Sequence, residues 1–140
     1  MNKIVAIDFD GTCVTHLYSA ENPEVVGLPI GSVEYLRKLS KHGVKIILYT
    51  MRSGDHLTAA VNWFESHQIN LWGVNVNPEQ HTWSKSPKVY AQLYVDDAAL
   101  GCPLMKDQIS DRPFVNWKIV GPRLMKWAGI KKERVKKSVK

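Results

Sequence analysis

Two aspartates near the amino terminus, Asp8 and Asp10, have the type and spacing to bind a cation or to exchange protons. They follow the apolar run 4–7, which is typical of a strand buried on both faces. Residues two apart in a strand point to the same side, so the two carboxylates share a face. Such a pair repels unless a cation lies between the groups or one of them is protonated. A plain acidic turn is the alternative, because Asp and Gly11 are ordinary turn residues.

A second acidic pair, Asp96 and Asp97, ends the apolar run 93–95. If this run and the first one are parallel neighbours in a sheet, their carboxyl ends meet at one edge. Open α/β sheets bind ligands at that edge. The two acidic strand ends therefore predict one shared site.

A third apolar run, 44–49, ends at Thr50 and is followed by Met51 and Arg52. A hydroxyl at the end of a buried strand, with a cation just beyond it, could hold an oxyanion. Arg52 could contact a substrate anion or could be a solvated loop residue.

Strand and helix patterns alternate along the chain, which predicts a three-layer α/β/α fold, doubly wound and Rossmann-like, with a mostly parallel sheet. Buried strands are expected at 4–7, 44–49, 72–75 and 93–95. Helices are expected at about 29–42, 55–68, 87–91 and 111–128. No repeat or second domain is visible, so we expect one domain over 1–130 and a basic tail over 131–140.

The formal net charge of +6 is concentrated in the tail, which carries +5 of it. Such a tail is usually solvated, and a weak contact with nucleic acid is the alternative. No apolar run approaches the roughly 20 residues of a membrane span, and no signal peptide is recognisable. Cys13 and Cys102 form no CxxC pair and are expected as thiols. We expect a cytoplasmic protein with no membrane partner, and histidines that serve at the surface or in packing.

In their order along residues 3–97, these motifs resemble the haloacid dehalogenase superfamily of phosphohydrolases. The family pattern is a buried strand ending in DxDG[T/V], a second strand ending in Thr or Ser, a lysine, and a strand ending in an acidic pair. The chain supplies these in order as Asp8 to Thr12, Thr50, Lys88, and Asp96 with Asp97.

This resemblance implies a Mg²⁺-dependent phosphatase. Asp8 would be the nucleophile and form an aspartyl-phosphate, and Asp10 would be the general acid and then the general base. Asp8, the backbone carbonyl of Asp10, and Asp96 would bind Mg²⁺, while Asp97 would bind through water or orient the other ligands. Because dehalogenases proper lack the second aspartate, Asp10 favours phosphoryl transfer.

The resemblance also implies which residues hold the phosphoryl group. Thr50 and Lys88 would bind its oxygens, with Lys85 as the alternative lysine. The remaining candidates for phosphate or substrate binding are Gly11, Thr12, Met51 and Arg52.

The segment 13–28 is too short for an inserted domain, which resembles the capless subgroup of the superfamily. The expected substrate is a phosphorylated small molecule, nucleotides included. Two alternatives stay open: a nucleotidase or nucleic-acid-end phosphatase assisted by the tail, and a non-catalytic Mg²⁺-binding protein. The sequence does not indicate an oligomeric state.

Overall fold

Strand β1 (Ile4–Ile7) lies inside a four-stranded parallel sheet in the computed structural model, which describes residues 2–131. The other strands are β2 (Lys45–Leu48), β3 (Leu71–Val74) and β4 (Leu93–Val95), and the order across the sheet is β3-β2-β1-β4. Because β1 pairs in parallel with both β2 and β4, the carboxyl ends of all three strands lie at one edge. The predicted parallel α/β sheet is confirmed.

Three helices pack on one face of this sheet: α1 (Val33–Lys41), α2 (Gly54–Ser66) and α3 (Trp117–Ala128). Their buried side chains share a core with the alternate strand residues Val5, Ile7, Ile46 and Leu48. The links from β1 to β2 and from β2 to β3 run in the same direction across the sheet. Right-handed crossovers therefore place α1 and α2 on the same face.

The opposite face is covered by irregular chain, which corrects the expected third, helical layer. Ala6 and Ile47 pack there against Val89 and Ala91. The segment between β3 and β4 contains only a short 3₁₀ turn, Gln80–Thr82, and the helix expected at 87–91 is not formed. Within residues 2–131, all three α-helices belong to the other face.

Side chains explain why the residues before β4 are not helical. The buried Gln80 amide donates to the carbonyls of Ser86 and Lys88 and accepts from the amide of Tyr90. The Tyr94 hydroxyl donates to the carbonyl of Val89. These contacts satisfy backbone groups that a helix would otherwise pair with one another.

The carboxyl-terminal part of the domain is fixed to the turn that follows β1. Strands β5 (Leu104–Met105) and β6 (Phe114–Val115) form an antiparallel pair, and α3 starts after Asn116 rather than at the expected residue 111. The amide of Val115 donates to the carbonyl of Gly11 at 2.9 Å. The indole of the buried Trp117 donates to the carbonyl of Thr12 at 2.6 Å.

None of the helices in residues 2–131 is long and apolar enough to cross a membrane. The predicted basic tail lies outside the described residues apart from Lys131. Between β1 and α1 the chain forms turns and isolated bridges, with no inserted domain.

We expect Trp117→Phe to destabilise the protein by about 2 to 4 kcal/mol. The shorter ring leaves a cavity and leaves the Thr12 carbonyl without its buried donor. Urea unfolding followed by circular dichroism measures the difference. Trp83→Phe is the matched control, because Trp83 is 61% exposed and should change stability by less than about 0.5 kcal/mol. Equal losses in both variants would show that the bond to the Thr12 carbonyl contributes nothing.

Candidate functional site

Three carboxylates from two adjacent strands converge at the edge of the sheet. Asp8, Asp96 and Asp97 each offer an oxygen within 4.8 Å of the others. The amide of Asp8 donates to the carbonyl of Val95 at 3.0 Å, which continues the β1–β4 pairing beyond the strands. The convergence expected from the two acidic strand ends is present.

The side chain of Thr12 joins two of these carboxylates. Its hydroxyl lies 3.0 Å from Asp8 Oδ2 and 3.3 Å from Asp97 Oδ1, and it accepts a bond from the amide of Asp97 at 3.1 Å. Thr12 is fully buried, and so is the adjoining backbone of Gly11. The Thr12 hydroxyl therefore contacts the carboxylates of both Asp8 and Asp97 and restricts their orientation.

Gly11 is required by both its conformation and its surroundings. Its φ of +76° lies in the left-handed region, and an added Cβ would fall 2.0 Å from His16 Nε2 and 2.6 Å from Asp97 Oδ2. The turn after Asp10 can therefore approach the site this closely only with glycine.

His16 is a site residue that the sequence pattern missed. Its Nε2 lies 2.8 Å from Asp97 Oδ2, and only 17% of the His16 side chain is exposed. The expectation that every histidine serves only at the surface or in packing is wrong for this residue. No recognised motif places a histidine four residues after Thr12, so the contact becomes visible only when segment 13–28 folds back over the turn.

The carboxylates titrate differently because their surroundings differ. Burial, the nearby Asp96 charge and the contact with Asp97 raise the pKa of Asp8 from 3.8 to about 8. Burial opposes ionisation of Asp97 as well, but hydrogen bonds from His16 and Asp8 outweigh it and lower the pKa of Asp97. Without a cation, the neutral form of Asp8 is therefore favoured below about pH 8, beside an ionised Asp97.

Asp10 is separated from this cluster by an ion pair with Arg52. Arg52 Nε donates to Asp10 Oδ2 at 2.7 Å, and a terminal nitrogen, Nη2, donates to Oδ1 at 2.8 Å. The arginine side chain is only 7% exposed, lies 4.9 Å from the centroid of the Phe9 ring, and also donates to the carbonyl of His56. Arg52 is therefore a buried orienting residue for Asp10, neither a solvated loop residue nor a free anion contact.

The other predicted phosphate-binding side chains lie around the strand ends without contacting the carboxylates. Thr50 Oγ1 accepts from the amide of Arg52 at 3.2 Å, and the Met51 side chain is fully in solvent. Lys88 is exposed, with its Nζ 5.8 Å from the centroid of the Tyr94 ring. Tyr94 pairs with Ala6, two residues before Asp8, so Lys88 lies on the sheet face to which Asp8 points.

Neither of the two lysines predicted to bind phosphate is paired with an acidic side chain of the described residues. In the described part of the chain, Lys85 and Lys88 form no ion pair with a carboxylate. Lys85 lines a groove with Asn75 and Pro78 along the irregular segment before β4. The choice between the two lysines stays a prediction.

Comparisons with known proteins identify a shared fold but no activity. No protein-family model and no curated protein matches this chain. The chain is similar to a solved structure described as a conserved protein coded by a locus of Bacteroides thetaiotaomicron, with a TM-score of 0.68 and 28% identity. The similarity covers 91% of this chain and 93% of that one, so the fold extends over nearly the whole of both.

We expect the unfolding free energy of the wild type, in EDTA, to fall relative to Asp8→Asn as the pH rises from about 4 to about 8. The folded pKa of Asp8, about 8, lies above its ordinary value of 3.8. The stability that the bound proton contributes is therefore complete below pH 3.8 and is lost as the pH rises through 8. The neutral amide does not titrate. The expected relative loss is roughly 2 to 4 kcal/mol, measured by urea unfolding at several pH values.

Asp111→Asn is the matched control, because Asp111 is an exposed carboxylate in the loop before β6. Its difference from the wild type should stay constant over the same range. Parallel pH curves for the wild type and Asp8→Asn would show that Asp8 holds no abnormal proton.

Proposed function

We propose that this chain is a Mg²⁺-dependent phosphomonoester hydrolase that acts through a phosphorylated Asp8. The observation that carries the proposal is the separation of its acidic groups. Asp8, Asp96 and Asp97 lie together, whereas Asp10, two residues from Asp8, is bound by Arg52. This separation supports a mechanism in which one carboxylate attacks phosphorus and another transfers protons, as the superfamily resemblance implied.

The donor set fits Mg²⁺, which prefers hard oxygen ligands and keeps several of its waters. The raised pKa of Asp8 indicates that ionising this carboxyl group near neutral pH is unfavourable without added positive charge. Asp8 and Asp96 would hold the ion, with Asp97 binding through water or orienting them. When bound, the ion offsets the repulsion between a carboxylate and a phosphate.

Asp8 would attack phosphorus, forming an acyl-phosphate bond as the bond from phosphorus to the leaving oxygen breaks. The Thr12 hydroxyl, 3.0 Å from Asp8 Oδ2, restricts rotation of the carboxylate before attack. Water then cleaves the phospho-aspartate, releasing inorganic phosphate and restoring Asp8.

Asp10 would give a proton to the leaving oxygen and then remove one from the attacking water. Because Arg52 donates to both oxygens of Asp10, Asp10 would have to take up the proton on one of them and release that hydrogen bond before it could act as the acid. The proton later taken from water would restore this protonated form. Arg52 therefore acts as a positioning residue. Thr50 and Lys88 would hold the oxygens of the transferring group.

The two alternative functions have no comparable support. The nucleic-acid alternative depends on a tail that lies, beyond Lys131, outside the described residues. The non-catalytic alternative predicts Mg²⁺ binding without turnover, and the substitutions below separate it from the enzyme.

We expect Asp8→Asn to lower kcat/KM by about 10³-fold or more for every aryl phosphate, because the nucleophile is lost. Asp10→Asn should lower kcat/KM by about 10²-fold for phenyl phosphate but by less than about tenfold for 2,4-dinitrophenyl phosphate. The second leaving group departs without needing a proton. The measurement is phosphate release with Mg²⁺ and with EDTA, and kcat/KM reports the steps up to departure of the leaving group.

Asp111→Asn again serves as the matched control, and its kcat/KM should match that of the wild type. Undiminished turnover in Asp8→Asn, or in EDTA, would refute the mechanism. Equal losses of Asp10→Asn on both substrates would remove the general-acid role from Asp10 but leave the nucleophile in place.

We expect Lys88→Met to lower kcat/KM for phenyl phosphate by about 10²-fold, because it removes the cation that offsets the transferring charge. Lys85→Met, a matched change three residues earlier, should lower it by less than about threefold. Steady-state kinetics of the two variants measure the difference. The reverse order would assign the phosphate-binding role to Lys85.

A further inference from the structure

A cavity of about 410 Å³ opens beside Asp10. Its lining consists of Asp10, His16, Leu17, Tyr18 and Arg112. The volume suits a small organic group. In the proposed function Asp10 protonates the leaving oxygen, so this cavity is where the leaving group would lie.

One charged side chain in the cavity lining has no acidic partner among residues 2–131. Asp10 is paired with Arg52, and His16 contacts Asp97. Arg112, by contrast, forms no ion pair with a carboxylate within residues 2–131. Of the charged side chains that line the cavity, Arg112 is therefore the one available to an incoming anion.

The loop that carries Arg112 is fixed relative to the site. Its amide donates to Ser110 Oγ at 3.3 Å, and β6 begins two residues later at Phe114. The next residue, Val115, donates to the carbonyl of Gly11 at 2.9 Å. The backbone near Arg112 is therefore tied to the turn that contains Asp10, and the exposed arginine side chain extends from it into the lining of the cavity.

Tyr18 adds a flat apolar surface to the same cavity. Its ring stacks on His56 with centroids 4.9 Å apart and an interplanar angle of 14°. The His56 ring is itself held in place, because its Nε2 lies 2.9 Å from the carbonyl oxygen of Ser19. Because 76% of Tyr18 is exposed, the ring face away from His56 is free to stack on a planar group.

We propose that the substrate's leaving group is planar and carries a negative charge, with its ring on Tyr18 and its anionic group on Arg112. This inference rests on the proposed phosphatase function. A guanidinium matches a carboxylate or a second phosphate in bidentate geometry, and both chemistries are included. The reaction breaks the bond from phosphorus to the leaving oxygen, which takes the proton of Asp10, while the distant anion stays on Arg112 throughout.

The test compares two aryl phosphates of nearly the same shape, 4-carboxyphenyl phosphate and its neutral amide, 4-carbamoylphenyl phosphate. The measured quantity is the ratio of their kcat/KM values at low ionic strength. In the wild type the charged substrate should be favoured roughly fivefold, and the preference should weaken as salt is added. A third substrate, 4-phosphonophenyl phosphate, distinguishes a site for carboxylates from one for phosphate-like anions.

Arg112→Gln should bring the ratio to about one, mainly by loss of the charged substrate, while Arg112→Lys should keep part of the preference. Arg123→Gln is the matched control, because Arg123 is an exposed arginine on α3 that lines a different cavity. It should leave the ratio unchanged. Tyr18→Leu should raise KM for both substrates alike and so leave the ratio near the wild-type value.

The possible failures are distinguishable. If the wild type hydrolyses neither substrate, the proposed function is refuted, and this inference falls with it. If it hydrolyses both but Arg112→Gln leaves the ratio unchanged, the phosphatase stands and the anion subsite is refuted. An unaltered KM in Tyr18→Leu would refute the stacking surface.

Discussion

Repulsion among half-buried carboxylates is the constraint on which the site depends. Three of them lie within 4.8 Å of one another at the end of two adjacent strands. Burial strengthens the repulsion, and it raises the pKa of Asp8 to about 8. The contacts around the cluster offset this charge, through the Thr12 hydroxyl between Asp8 and Asp97 and through His16 on Asp97.

The fold keeps this arrangement in place through contacts distant in sequence. The turn after β1 accepts hydrogen bonds from Val115 and Trp117, about a hundred residues later, at the carbonyls of Gly11 and Thr12. The helices that bury Trp117 all pack on one face of the sheet, and irregular chain covers the other. The acidic edge is thus supported by the packed core beneath it.

The two aspartates of one short motif have different partners and therefore different chemistry. Asp8 lies among like charges, where a cation or a proton is needed, whereas Asp10 lies against a buried guanidinium. If the chain is the phosphatase proposed above, the lack of an inserted domain between β1 and α1 leaves substrate selectivity to the loops. Here the loops that carry Tyr18 and Arg112 meet beside Asp10 and supply a ring surface and a cation that has no acidic partner among residues 2–131.

The sequence alone determined the strands, the parallel sheet, and the acidic ends that meet at its edge, because strong apolar runs and their polar ends are local features. It did not reveal that irregular chain covers the second face of the sheet. The buried Gln80 amide forms hydrogen bonds with backbone groups that local propensity would assign to a helix. It also left Arg52 open and missed His16, because contacts of 2.7 Å to Asp10 and 2.8 Å to Asp97 form only after separate segments pack together. Charge pairing depends on distance in space, and only the tertiary structure decided which charges at this edge are compensated and which stay free.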